Sequence, residues 1–334
     1  MEERSKWFVR FAITPRCNFR CTYCNPKGNK EISDTVSEDD IIRIISGVHK
    51  AGVNRVHWTG GEPTLMDLER LVKTAKDIGF VEQVMTTNGS KGGRYLRSLA
   101  DKGLNRLIVS LDTLNPERFR NLTRSSSFYE VLGTIEQGVA IFSDPTKMNI
   151  VYMEETKKEV PAFVEFSRRV NTDRNGKGKL IIKFIEMSQN NPAFFDDDGQ
   201  NLYRESHSSR EELISLLSDY GSMERVRVRG NNPNTEYYRF PELGIDIGLI
   251  TIPSLGYKCG GEGCTKIRLN PYGAAGVCIS QEPVSLMHKS EDKAAEIFRG
   301  LIEYKAVFAR ECPDRKHYKG EFGFWRFGDC KGNK

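Results

Sequence analysis

The sequence predicts an α/β protein: a partial barrel of six strand–helix units followed by a small α+β region. Three observations predict it. Apolar runs of strand length alternate with runs of helical period through the first half of the chain, the pattern of parallel βαβ units. The alternation supplies six strands, and a closed eight-fold barrel needs two more units. From about residue 221 the pattern changes to short strands separated by Asn- and Gly-containing turns, the mark of antiparallel pairing. A barrel domain over residues 1–220 and a second domain over 221–334 are therefore expected.

Element by element, Trp7–Ile13 reads as the first strand. Ser37–Ala51 has helical periodicity, with Ser37 placed as N-cap and Glu38 and Asp39 in the first turn, where acidic groups suit the helix start. Val53–Trp58 follows as a strand, Asp67–Ile78 as a helix, Glu82–Thr86 as a strand and Gly93–Lys102 as a helix. Asn105–Ser110, Met148–Met153 and Leu180–Ile185 read as strands, with helices at Tyr129–Phe142 and Val160–Val170 between them. Gln189–Gln200, with Pro192 and the acidic run Asp196–Asp198, reads as a surface loop, and Ser209–Tyr220 as a helix. Met223–Arg229, Glu236–Phe240 and Ile245–Ile252 are the later strands, ahead of a helix over Lys293–Arg310 and an irregular tail holding Cys312 and Cys330.

With 38% hydrophobic and 28% charged residues in 334, the composition is that of a globular protein with ample length for a core. No apolar run approaches the roughly 18 residues of a membrane span. The opening MEERSKWF has no signal-peptide pattern, so a cytoplasmic location is expected. In a reducing compartment the eight cysteines are better read as metal ligands than as disulfides. The net charge of +5 is mild, and Lys and Arg are spread along the chain instead of clustered, which argues against nucleic acid and leaves room for a pocket that takes an anion.

Cys17, Cys21 and Cys24 form a C-x3-C-x2-C run. A [4Fe–4S] cluster is usually held by four thiolates, so three close cysteines leave one iron open to a reactant. Structural zinc wants four ligands, and no further His or Cys follows nearby to complete such a site. Thr59-Gly60-Gly61-Glu62-Pro63 closes the second strand, at the face where barrel sites lie. Gly60 and Gly61 lack a Cβ and let backbone approach a ligand closely, while Glu62 can accept a hydrogen bond from a cationic amino group. Thr86-Thr87-Asn88-Gly89 and Val109-Ser110-Leu111-Asp112 place short polar side chains at the next two strand ends.

With Tyr23 between the last two cysteines and Ile13-Thr14-Pro15-Arg16 leading in, this order of motifs resembles the radical S-adenosylmethionine (SAM) superfamily. The resemblance implies that the open iron chelates the amino and carboxylate groups of SAM. It assigns Tyr23, Gly60, Gly61, Glu62 and Ser110 to SAM contact and sets Thr86 nearer the substrate. It also implies one-electron cleavage of SAM to a 5′-deoxyadenosyl radical that abstracts hydrogen from a substrate, with no catalytic acid–base triad.

Cys259-GGEG-Cys264, the run Thr265–Gly273, and Cys278 resemble the auxiliary-cluster motif of the GTP 3′,8-cyclase family, as do Gly248–Thr251 before it and Phe184–Met187 at the sixth strand. This implies two [4Fe–4S] clusters, the second held by Cys259, Cys264 and Cys278, and a small nucleotide-like substrate. It also implies an electron donor such as flavodoxin or ferredoxin. Arg10, Arg55, Lys183, Lys266 and Arg268 stand where that family has phosphate-facing basic groups. Lys183 and Lys266 replace arginines there, and Lys lacks the bidentate fork of Arg. Three features depart from the family: a C-x4-C spacing, Glu154 aligned with a basic ligand, and an ending Lys331–Lys334 without a Gly-Gly pair. Cys312 or Cys330 could give the second cluster a fourth thiolate. Alternative readings are a radical SAM peptide maturase or dehydrogenase, and a non-catalytic iron–sulfur or zinc protein.

Overall fold

Strand pairing carries the architecture. The computed structural model describes residues 6–24, 35–172, 179–188, 197–228, 234–251, 264–277 and 283–311. Its first half alternates β1 (Phe8–Ala12), α1 (Glu38–Lys50), β2 (Arg55–Thr59), α2 (Leu68–Ile78), β3 (Glu82–Thr87), α3 (Gly93–Lys102) and β4 (Arg106–Ser110). It continues with α4 (Pro116–Thr123), α5 (Phe128–Ile141), β5 (Thr146–Tyr152), α6 (Val160–Thr172) and β6 (Leu180–Glu186). Then come α7 (Asp197–Ser206), α8 (Arg210–Ser218), β7 (Glu224–Val226), β8 (Glu236–Phe240), β9 (Ile245–Ile250), β10 (Lys266–Leu269), β11 (Ala274–Gly276), β12 (Val284–Ser285) and α9 (Glu291–Glu311).

Among the described residues one sheet runs β12-β11-β10-β1-β2-β3-β4-β5-β6-β9-β8-β7. Strands β1 to β6 are parallel neighbours in sequence order, the expected partial barrel. The antiparallel pairing expected beyond residue 221 is present in β7·β8 and β8·β9. The later strands also extend the barrel sheet at both edges, because β9 lies parallel to β6 and β10 parallel to β1.

Local chemistry explains the element starts. Ser37 and Asp40 form a reciprocal capping box at α1, and Ser209 and Glu212 do the same at α8. Five elements were not anticipated: α4, α7 and the strands β10, β11 and β12. α4 is a short helix with Asn115 capping the Arg118 amide and Pro116 at its first position, a signal the sequence does carry. α7 begins inside the expected loop, whose residues 189–196 lie outside the described ones, so part of the acidic run is a helix start and not loop. β10 is a four-residue strand, too short to show a period, and its partner β1 is far off in sequence.

The pleat separates two faces. Val9, Phe11, Val56, Trp58, Met85, Val109, Met148, Ile150, Ile182 and Phe184 are buried in one apolar core with helix residues such as Ile41, Leu71, Leu99, Ile135 and Phe163. The alternate positions, including Arg10, His57, Thr86, Ser110, Asn149 and Lys183, face the barrel interior, as the pairing Arg10 with His57, Ser110 with Asn149 and Asn149 with Lys183 requires.

α1 and α9 cross where Gly47 leaves room. A Cβ there would lie 2.6 Å from the Ala294 Cβ and 2.8 Å from the Glu291 carbonyl. Ala is the better helix former by about 1 kcal/mol, but overpacking costs about 1–3 kcal/mol. Gly47→Ala is therefore expected to lower the thermal midpoint, and a rise would show that the crossing yields without cost.

Candidate active site

The cysteine loop leaves β1 and lies along the Thr59–Glu62 turn. Ile13 N–H donates to the Thr59 carbonyl (2.8 Å), Gly61 N–H to Thr14 (2.7 Å) and Glu62 N–H to Arg16 (2.8 Å). A Cβ on Gly60, at φ +149°, would strike the Thr14 carbonyl oxygen, and one on Gly61 the Arg16 carbonyl oxygen. The missing Cβ atoms thus let the chain's own backbone approach closely. These glycines set the distance between the cysteine loop and the second strand.

Glu62 is fully buried. Its Oε1 accepts from the Thr64 amide (3.1 Å), the Thr64 hydroxyl (2.7 Å) and the Thr87 hydroxyl (2.8 Å), and its Oε2 from the Asn88 amide (2.7 Å). Burial raises its pKa above the ordinary carboxyl value, and these donors oppose the rise. Three of these donors meet at Oε1 and one at Oε2. Asn88 extends the link: its Nδ2 donates to Asn18 Oδ1 at 2.8 Å and reaches Cys17 Sγ at 3.9 Å.

The other side of the loop is fastened to α4 and β4. Arg20 N–H donates to the Thr123 carbonyl (2.8 Å) and Thr22 N–H to Leu122 (3.0 Å). The Tyr23 hydroxyl donates to Asp112, whose second oxygen accepts the Val151 amide at 2.6 Å. Burial raises the Cys17 thiol pKa, and it raises that of Cys21 to about 12, with Asp112 and the neighbouring cysteines adding to the Cys21 shift. The three thiols lie close enough to feel one another's charge. Phe19 N–H donates to Cys17 Sγ at 3.4 Å, the kind of bond that steadies a thiolate. This soft sulfur set, with N–H donors aimed at sulfur, fits an iron–sulfur cluster, whose iron takes the place of the thiol protons.

Along the inner face the structure brings Arg10, Lys183, Lys266 and Arg268 together. Burial and then Arg268 lower Arg10 to about 10, and burial followed by Arg10 and Arg106 lowers Lys183 to about 7. Burial, Arg268 and Arg10 likewise lower Lys266 to about 7. Two members escaped the sequence reading. His57 is held neutral by burial and by Arg10, Lys266 and Lys183, with Nε2 2.6 Å from the Thr86 hydroxyl. Lys147, its pKa pushed well down by burial and by Lys183, donates to the Tyr237 hydroxyl at 2.8 Å. Both stand at alternate strand positions beside residues already singled out, so a period-2 reading of the inner face could have found them.

Arg55, two residues before His57 on β2, is paired, with its guanidinium 3.0 and 3.1 Å from the two Glu82 oxygens. Glu154, the carboxylate that would repel a phosphate, is paired with Lys157 at 2.6 Å and accepts from Ser208 at 3.0 Å. Cys264 is half-buried. Burial raises its pKa, but Lys305, 3.4 Å from Sγ, and Lys266 outweigh that and hold the thiol below its ordinary value. Cys259, Cys278, Cys312 and Cys330 lie outside the described residues.

Two outcomes follow from this geometry. Gly61→Ala forces the Arg16 backbone away, a strain of about 1–3 kcal/mol, and is expected to lower the iron retained per chain; full retention would show that the loop does not depend on this contact. For Lys183, the unfolded side chain holds its proton up to its ordinary 10.5 and the folded one only to about 7. Between these values the unfolded state binds more protons, so the ligand-free chain gains stability as pH rises through that window. A polyphosphate anion restores the ammonium, and its stabilising effect should therefore be larger at pH 6.5 than at 8.5 in thermal melts.

Comparison with known proteins agrees with this layout. The radical SAM superfamily profile matches residues 11–167. The chain is 33% identical over 299 residues to the probable GTP 3′,8-cyclase of Methanopyrus kandleri, a match spanning 89% of this chain and 88% of that protein. It is 29% identical over 324 residues to the GTP 3′,8-cyclase of Clostridium botulinum strain Okra, spanning 92% and 95%. In fold it is similar to Streptococcus suis SuiB bound to S-adenosylmethionine, with a TM-score of 0.60 at 15% identity over 91% of this chain and 68% of that one. The chain belongs to the radical SAM superfamily and, within it, to the GTP 3′,8-cyclase family.

Proposed function

We propose that this enzyme cleaves SAM reductively and directs the resulting radical at a nucleotide, GTP being the substrate named for its relatives. The observation that carries the reading is the inner-face cluster of the buried Lys147, Lys183 and Lys266 with the half-buried Arg10 and Arg268, cations of one barrel whose strand ends hold the three-cysteine loop. When bound, the cluster and SAM supply the one-electron chemistry that yields a 5′-deoxyadenosyl radical. The chain's own groups do the rest. Glu62, Asn88 and the Tyr23–Asp112 pair hold the loop, and Gly60, Gly61 and Ser110 line the strand ends where SAM would lie. The cations neutralise a polyphosphate, with Thr86 and neutral His57 beside it. A substrate filling the barrel interior would favour such charge pairing and keep water from a reactive radical.

Residues 221–334 are read as the region of a second [4Fe–4S] cluster held by Cys259, Cys264 and Cys278, with the Lys305 and Lys266 ammoniums favouring thiolate at Cys264. Flavodoxin or ferredoxin would supply electrons. No nucleic-acid partner is proposed, and we place the enzyme in the cytoplasm. Among the described residues no helix is long and apolar enough to cross a membrane. The maturase alternative rests on likeness of fold alone.

Anaerobic incubation of reconstituted enzyme with SAM, dithionite and GTP, followed by mass spectrometry, is expected to give 5′-deoxyadenosine together with cyclised GTP. Deoxyadenosine without a nucleotide product would overturn the substrate, and no deoxyadenosine would overturn the chemistry. Lys183→Met removes one charged contact of about 1.5–3 kcal/mol, so KM for GTP should rise about tenfold or more while SAM affinity holds. An unchanged KM would remove Lys183 from the phosphate site.

A further inference from the structure

Helix α9 carries a lysine where its own pattern calls for an apolar residue. Ala294, Phe298 and Ile302 recur at helical spacing and are buried, and the next position of that stripe is Lys305, only 3% exposed. A lysine is almost never fully buried unless it is paired. The Lys305 Nζ donates to the Lys266 carbonyl at 2.5 Å, to the Val277 carbonyl at 2.7 Å and to Cys264 Sγ at 3.4 Å. Three acceptors use all three hydrogens of an ammonium. Two of them are neutral carbonyls, so the sulfur is the acceptor able to carry a balancing negative charge.

These acceptors belong to the two chain segments that bear cysteines. Cys264 lies just before β10, and Val277 follows β11 directly ahead of Cys278 in the sequence. The antiparallel ladder between β10 and β11 is short, Arg268 with Gly276 and Leu269 with Ala275, and it brings the start of β10 and the end of β11 side by side. The ammonium ties the chain together across that open end. A soft sulfur with an N–H donor aimed at it, next to the segment that leads to a second cysteine, fits an iron–sulfur ligand. Hydrogen bonds to ligand sulfur and nearby charge are among the levers that set a cluster's potential. We propose that Lys305 is a positioning residue for the second cluster: it holds Cys264 and the Cys278 end of β11 at one spacing and raises the reduction potential of the cluster bound there. This rests on the second-cluster reading above.

The test uses anaerobically reconstituted full-length enzyme and compares wild type with Lys305→Met, with Lys305→Gln, which keeps N–H donors for the two carbonyls but no charge, and with Lys305→Arg, which keeps the charge. Iron and sulfide per chain, the thermal midpoint and the potentials of both clusters are measured, the potentials by redox titration followed by electron paramagnetic resonance. Added SAM alters the signal of the first cluster and so tells the two apart. Wild type is expected to hold two clusters' worth of iron. The Met and Gln variants should lose the second cluster's share, or retain it with a potential below that of wild type, while the SAM-responsive signal stays as it was. The Arg variant should keep the iron and lie closer to the wild-type potential. A lower thermal midpoint with iron and both potentials intact makes Lys305 merely structural and overturns the proposal. So does loss of iron from both clusters together, which would mark general destabilisation, and so do neutral variants indistinguishable from wild type. If Lys305→Met does not fold, the Gln variant decides. Wild-type enzyme that takes up only one cluster's worth of iron removes the second-cluster reading itself, and this proposal with it.

Discussion

A single buried carboxylate organises the catalytic end of the barrel. Glu62 gathers two donors from its own turn and two from the end of β3, while its amide is tied to Arg16 in the cysteine loop. A carboxylate in a low-dielectric interior is tolerable only when its lone pairs are met by well-placed donors. That requirement fixes the ends of β2 and β3 and the cysteine loop relative to one another. The two glycines before it serve the same end, since any side chain there would drive the loop outward.

The barrel interior presents the opposite electrostatic situation. Burial, and after it neighbouring cations, lowers the proton affinity of Arg10, Lys147, Lys183 and Lys266, and their closest polar partners, such as the Tyr237 hydroxyl, bring little compensating charge. Acids that could neutralise them are used elsewhere. Glu82 is divided between Arg55 and Arg106, and Glu154 is turned to Lys157 and Ser208. Concentrated like charge destabilises the empty fold and is relieved when an anion enters. Folding stability and affinity for an anion thus draw on the same lysines.

The two ends of the site meet along β4, β5 and β6. Asp112 at the end of β4 holds Tyr23 of the cysteine loop and the Val151 amide of β5. Two residues back along β5, Asn149 stands between Ser110 and Lys183. The parallel pairing of these strands therefore sets the separation between the cysteine-loop side and the cation side, so geometry there does not depend on a loop.

The sequence by itself determined the alternation of β1 to β6 with helices, the capping of α1 by Ser37, the cysteine loop and the glycine turn, because strand and helix periods, capping chemistry and ligand spacing are local properties. It also named Arg10, Lys183, Lys266 and Arg268, though through resemblance and not through pattern. Only the tertiary structure decided that β10 runs beside β1, that Glu62 and the glycines brace the loop, that Arg55 pairs with Glu82, and that His57, Lys147 and Asn149 share the inner face. Those facts depend on which strands become neighbours and on which buried groups find partners, and both are set by contacts between residues far apart along the chain.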